Sequence, residues 1–426
     1  MATRAALSIF SALLMLCGSV AAQGKRLWVL RAPGEMTEYD PANFEIKQTV
    51  KVPAEAVASP GGLSVNHAGQ MLFALAVSLP LDEGDVAGKD KVWFWDGSKA
   101  ATLERDVART TGVSGSNLAI TESAAIPHLG ADGTHLYWFS NRAHRLQRDG
   151  VDLSTKDTWL AWRTDLTGAK SEDLTSVSLP DCSCPTGGCE ETCPYGEAWV
   201  PDDGLGKFIL VTQVIAGKDQ PAYNSTTLFE DTAGRWSGTG ISPPLHRVLD
   251  AAGPGAILEA VPDTGCCGWS NQSDDQMVLR LPGKTVIVFD ERSEYGNADY
   301  DVSFYAENGK LSPGLDAAAF TIAATEEGDK PIQLAKDGQA DPQESQRIRK
   351  ALLELPAVEV KSVDAKGGSN STRRSAFLAH ATLVGWITDK EILMVEDHLL
   401  VDYSLATGTR RRSNIRVEDA ADVFLR

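Results

Sequence analysis

The residues best suited to chemistry are carboxylates gathered between positions 263 and 301. Asn297, Asp299 and Asp301 stand at alternate positions, the spacing that opens a calcium loop. Calcium takes oxygen ligands, and alternate residues of a strand share one face, so the three could converge on one cation. The sixth and twelfth places of such a loop hold Val302 and Asn308 instead of glycine and glutamate. An acidic surface loop is therefore the competing reading. Asp274, Asp275, Asp290 and Glu291 flank a hairpin pattern and are candidates for a central channel. Two carboxylates there could do acid–base work if one of them were held protonated. Calcium is the one cofactor these residues suggest.

Cysteine is the second chemical signal. Cys182, Cys184, Cys189 and Cys193 cluster, and Cys266 and Cys267 are adjacent. With Cys17 lost in the leader-like residues 1–22, six remain, and an even, clustered set in an exported chain favours disulfides. A bond between two adjacent cysteines is disfavoured by disulfide geometry, so Cys266 and Cys267 are expected to reach separately into the 182–193 loop. The competing reading is a zinc site on that loop, but its spacings only approximate those of zinc ribbons, and no histidine lies nearby.

Other catalytic signatures are missing. The sequence has no nucleophile elbow, no His-Glu-x-x-His, no phosphate-binding loop and no dinucleotide fingerprint. The histidines, at 67, 128, 135, 144, 246, 380 and 398, are scattered and read as packed or solvated side chains. Trp93, Trp95, Trp138 and Trp386 lie inside apolar strand patterns, so core packing explains them better than stacking on sugars.

The elements that must position these residues recur along the chain. A short apolar strand meets a polar turn and then a second, more apolar strand, at 63–75, 127–141, 198–212, 277–290 and 383–396. The turns carry Ala-Gly, Asp-Gly, Pro-Gly or Asp-Lys, residues suited to tight antiparallel connections. A third strand follows several copies, as at 92–97 and 160–168, and a more polar fourth strand lies at 101–106. Three or four strands per unit, repeated about every 65–80 residues, is the pattern of propeller blades with loop insertions. Inner strands read as continuously apolar because such sheets pack on both faces.

One copy carries a resemblance. Pro127-His-Leu-Gly-Ala-Asp-Gly-Thr-His-Leu-Tyr-Trp-Phe-Ser-Asn141 is similar to the repeat of the TolB-type, WD-repeat-like periplasmic propellers, with Leu129 where those repeats carry Trp or Phe. The copies at 69–70, 282–283 and 389–390 lack the Asp-Gly. The resemblance implies a propeller fold and an exported interaction protein, and it assigns no functional residue.

The fold expected is all-β, a six-bladed β-propeller with five or seven blades as alternatives. Three N-terminal strands at 27–31, 36–40 and 46–52 lack an inner partner, and the lone apolar strand at 422–426 could supply it, removing both open edges. Residues 327–380 break the rhythm. They hold a helix-like stretch at 342–355, with apolar residues at 348, 351, 352 and 355, and a Gly/Ser run at 367–371, and they read as one surface insertion with a flexible loop.

Residues 1–22 read as a secretory signal: Arg4, an apolar run at 7–16 too short to span a bilayer, and Val20-Ala21-Ala22 before Gln23. Residues 23–426 then form a single propeller domain, exported to the periplasm or secreted. The net charge of −18 disfavours phosphate backbones and anionic lipid. The expectation is a monomer without a membrane span that does not bind nucleic acid. Its function is expected to be non-catalytic binding of a protein, peptide or glycan. A metal-assisted hydrolase or lactonase using the channel carboxylates is the alternative.

Overall fold

The computed structural model describes residues 25–58, 63–66, 68–76, 88–107, 118–122, 126–129, 135–148, 151–165, 171–178, 182–183, 194–199, 208–215, 222–232, 235–252, 256–261, 276–295, 302–326, 350–363 and 372–426. Among these residues the strands, numbered in chain order, sort into seven antiparallel sheets.

Sheet 1 joins β1 (Leu27–Arg31), β2 (Glu35–Tyr39) and β3 (Ile46–Lys51) to β30 (Ala420–Leu425). Sheet 2 holds β4 (Leu63–Val65), β5 (Met71–Ala76), β6 (Gly88–Trp95) and β7 (Ala100–Val107). Sheet 3 is wider, with β8 (Leu118–Glu122), β9 (Ile126–Leu129), β10 (His135–Arg148), β11 (Val151–Asp165), β12 (Ser171–Ser178) and β13 (Cys182–Ser183). Sheet 4 holds β14 (Pro194–Trp199), β15 (Phe208–Ile215), β16 (Ala222–Thr232) and β17 (Arg235–Ile241). Sheet 5 holds β18 (Arg247–Ala252), β19 (Ala256–Val261), β20 (Gln276–Leu281) and β21 (Lys284–Asp290). Sheet 6 holds β22 (Val302–Leu311), β23 (Ala317–Glu326), β24 (Ala357–Val363) and β25 (Thr372–Ala379). Sheet 7 holds β26 (Ala381–Thr388), β27 (Glu391–Glu396), β28 (Leu399–Ser404) and β29 (Arg410–Arg416).

Packing turns these sheets into a ring. Side chains alternate across a strand, so a sheet buried on both faces sends odd and even residues to different neighbours. In β1, Trp28 and Leu30 pack with Leu63, Met71 and Trp95 of sheet 2. Leu27 and Val29 pack with Leu393, Leu400 and Ile415 of sheet 7. In β23, Ala318, Phe320 and Ile322 meet sheet 5, while Ala317 and Ala319 meet sheet 7. Ile257 of β19 completes a core with Leu210 and Leu228 of sheet 4. First strands lie against one another from sheet to sheet, β18 with β22, β22 with β26 and β26 with β30. This is a β-propeller, as the repeats predict. Six sheets have the regular four-stranded form. The wide sheet, seated between β4–β5 and β14, brings the ring to seven sheets, the upper end of the expected range.

Closure follows the expected route. β30 pairs antiparallel with β1, Val29 opposite Val423 and Leu27 opposite Leu425. Arg26 and Arg426 then exchange backbone hydrogen bonds at 2.6 and 2.9 Å. Phe424 fills the core shared with sheet 2, and Leu425 the core shared with sheet 7. The turn between β1 and β2 needs glycine at position 34. Its φ is +127°, and a Cβ there would lie 2.6 Å from the Val52 carbonyl oxygen.

Two expectations are corrected. The hairpin at 277–290 is not another inner pair: β20 and β21 are the third and outermost strands of sheet 5, and β18–β19 form its inner pair. Hydrophobicity does not separate the two pairs, because β19 and β20 are both sandwiched between sheets. The stretch 327–380 is not an insertion throughout, since it contains β24 and β25, the outer half of sheet 6. Buried Glu359 and Lys361 disguise β24, whose first five residues are all buried. Residues 350–354 are helical, and Ala351, Leu352 and Leu355 pack on the core between sheets 5 and 6. The Gly/Ser run at 367–371 and the signal segment 1–22 lie outside the described residues.

Candidate functional site

Asp290 ends β21 and is followed by the short helix Glu291–Tyr295, which starts the connection to β22. The Asp290 carboxylate accepts the Ser293 amide at 3.3 Å, and the Ser293 hydroxyl donates back to the Asp290 carbonyl at 3.2 Å. A carboxylate at this place satisfies an amide that the helix itself leaves free. The second Asp290 oxygen accepts the Gln276 side-chain amide at 3.2 Å, across the β20–β21 ladder. Glu291 accepts the Phe304 amide of β22 at 2.7 Å.

These positions correct the channel assignment for Asp290. It stands on the strand farthest from β18 in the order β18-β19-β20-β21, away from the ring of first strands. Glu291 is engaged by the Phe304 backbone amide. Asp274, Asp275, Asn297, Asp299 and Asp301 lie outside the described residues, as do Cys184, Cys189, Cys193, Cys266 and Cys267. Cys182 is on β13, opposite Thr155 of β11. Among the described residues no three His, Cys, Asp or Glu side chains gather as metal ligands would.

The sequence reading passed over two buried carboxylates. Glu259 on β19 is 1 % exposed. It pairs with the Arg280 guanidinium, accepts the His246 amide at 2.7 Å and has His246 Nδ1 at 3.5 Å. Arg280 also donates to the Pro243 and Pro244 carbonyls at 2.6 and 2.9 Å, fixing the connection from sheet 4 to sheet 5. Burial pushes the Glu259 carboxyl up, but His246 and Arg280 outweigh it and hold it below the usual range.

Glu359 on β24 is fully buried. One of its oxygens pairs with Arg374 Nε of β25 and has Lys361 Nζ at 3.9 Å. Its other oxygen is buried with no hydrogen-bond partner among the described residues. Lys361 pairs in turn with Glu294 of the short helix, and Arg374 lies 3.6 Å from the second Glu294 oxygen. Here burial wins and raises the Glu359 carboxyl, with Arg374 and Lys361 pulling the other way. Both glutamates left one trace in the sequence: a charge inside an apolar run, in Ala-Ile-Leu-Glu259-Ala-Val and Ala-Val-Glu359-Val-Lys-Ser-Val.

Basic residues follow the same rule. Arg410, Arg411 and Arg412 on β29 look like a solvated run in the sequence. In the structure Arg410 and Arg412 hold Glu396 at 2.9 and 3.2 Å, and Arg411 holds Asp402 at 2.7 Å. Arg411 also donates to the Pro41 carbonyl at 2.9 Å and lies over the Phe44 ring, so it crosses from sheet 7 to sheet 1.

No family model matches the chain, and none of the curated proteins matches it. Solved structures with similar folds include an acylaminoacyl peptidase of Pyrococcus horikoshii, 11% identical over 90% of this chain, with a TM-score of 0.40. A dipeptidyl peptidase 4 of Porphyromonas gingivalis is 9% identical over 93% of this chain, with a TM-score of 0.38. The β-propeller domain of the Trilobed protease of Pyrococcus furiosus is 10% identical over 82% of this chain and 95% of its own length, with a TM-score of 0.29. The chain spans 48% of the first peptidase and 60% of the second.

Proposed function

We propose that this chain is an exported, non-catalytic propeller that presents a binding surface to a protein, peptide or glycan. The reading is supported by what the described carboxylates do. Asp290 and Glu291 are the two candidates for acid–base work whose surroundings are described, and both Asp290 oxygens and one Glu291 oxygen are taken by backbone amides and by Gln276. Catalytic carboxylates must instead reach a substrate proton. Export rests on the leader-like residues 1–22, and the TolB-type resemblance adds the precedent of an exported interaction protein. The cysteines belong to the same proposal, as disulfides formed in an oxidising compartment.

The test uses the chain from Gln23 onward. Calcium and zinc analysis is followed by turnover assays on a panel of lactones and esters, with each metal and with chelator. Binding is measured in parallel on peptide and glycan arrays. No metal-dependent turnover, together with saturable binding to one ligand class, is the expected result. Turnover that disappears in Asp299→Asn while the melting temperature holds would replace this proposal with the metal-hydrolase alternative. Non-reducing peptide mapping tests the disulfides, and free thiols loaded with zinc would overturn them.

A further inference from the structure

We infer that Glu359, Arg374, Lys361 and Glu294 form a proton-operated latch between the sheet 5–sheet 6 connection and the outer half of sheet 6. Three elements meet there. The helix Glu291–Tyr295 brings Glu294, β24 brings Glu359 and Lys361, and β25 brings Arg374. Among the described residues, the charged groups facing Glu359 are Lys361 from its own strand, Arg374 from β25 and Glu294 from the helix. Uncharged neighbours are Phe320 of β23 and Phe377 of β25, the residues opposite it in register.

The four groups differ in their access to water, and that difference gives the latch a direction. Glu359 is sealed, and Lys361 is nearly so, with its ammonium 5.8 Å from the Phe320 ring centre. The Arg374 side chain is 52% exposed. With both carboxylates ionised the cluster is neutral, and Arg374 is drawn inward to bridge Glu359 and Glu294. One proton taken up from water by the unpartnered Glu359 oxygen leaves the cluster at +1. The charge-assisted bond to Arg374 then becomes a weaker one to a neutral acid. Of Lys361 and Arg374, Arg374 is the exposed cation, so it is the one released. Lys361 stays paired with Glu294, and the helix is held at one point instead of two.

Burial raises the Glu359 carboxyl above its ordinary value, against the pull of Arg374 and Lys361. The same proton relieves the burial of a charge, so it favours the fold as a whole while loosening the tether. A merely structural ion pair would lose global stability and local protection together.

Hydrogen exchange of segments 291–295 and 372–379, corrected for the intrinsic rate, tests this between about pH 8 and about pH 5. Protection in both segments is expected to fall about tenfold on acidification, the difference between a charge-assisted and a neutral hydrogen bond. The β1–β30 seam should hold its protection as the internal control. Glu359→Gln, which mimics the protonated acid, is expected to show the loosened pattern at every pH. Should that variant fail to fold, Arg374→Gln removes the released cation from an exposed position and should give the same pattern. Protection that does not change with pH in the native chain, or a pH response that survives in Glu359→Gln or Arg374→Gln, would overturn the latch.

Discussion

Glu259 and Glu359 are both buried carboxylates on strands, and their surroundings drive them in opposite directions. Glu259 is lowered, so its contribution to stability is present above the unfolded carboxyl range and is lost as pH falls through the folded value. Glu359 is raised, so its contribution is present in acid and is lost as pH rises through the folded value. Urea midpoints measured against pH should therefore show a flatter acid limb in Glu259→Gln and a flatter limb above the usual carboxylate range in Glu359→Gln. Arg280→Ala is expected to cost about 3–5 kcal/mol at neutral pH, because it strands a buried charge. A loss under about 1 kcal/mol in equilibrium unfolding would show that His246 alone satisfies Glu259. Gly34→Ala places a Cβ against the Val52 carbonyl at a positive φ. It should destabilise by about 1–3 kcal/mol, visible as a lower urea midpoint at unchanged slope.

At the scale of elements, β30 carries more than its six residues suggest. It closes sheet 1 and fills two inter-sheet cores, with Phe424 toward sheet 2 and Leu425 toward sheet 7. Phe424→Ala is expected to cost about 3–5 kcal/mol. Removing 420–426 should expose the edge of β1 and lead to association, read as early elution in size-exclusion chromatography. A truncated chain that stays monomeric with an unchanged melting temperature would show that the seam is dispensable. This strand was legible in the sequence because an unpaired apolar C-terminal run and three N-terminal strands lacking a partner imply one another. β24 was not legible, since its charges are balanced by Arg374 and Glu294 from elements distant in sequence.

At the scale of the ring, polar contacts between sheets among the described residues repeat one device: a side chain of one sheet takes a backbone group of its neighbour. Asp250 accepts the Leu311 amide at 2.8 Å and Thr321 accepts the Leu383 amide at 2.8 Å, while Thr226 of sheet 4 accepts the amide of Leu245, in the connection to sheet 5, at 2.8 Å. Trp386 donates to the Lys310 carbonyl at 3.0 Å, and Arg426 to the Val65 carbonyl at 2.9 Å. The ring is thus stitched as well as packed. Arg411→Ala, which cuts the link from sheet 7 to sheet 1, should lower the melting temperature by only a few degrees, because exposed ion pairs contribute about 0–1 kcal/mol. A larger drop, measured calorimetrically, would show that the Pro41 and Phe44 contacts make this link a major part of the closure.

The sequence by itself determined the class of architecture. Apolar strands with tight polar turns, repeated along the chain and completed at its two ends, can bury their edges by closing into a ring. Only the tertiary structure decided which hairpin is inner and which is outer, and that Asp290 and Glu291 bond to local amides and a facing glutamine. It likewise decided that the basic run on β29 is neutralised by its own sheet. The physical reason is that burial on both faces makes the middle strands of a blade look alike. The partners of a charge, moreover, come from neighbouring strands and sheets whose register local sequence does not specify.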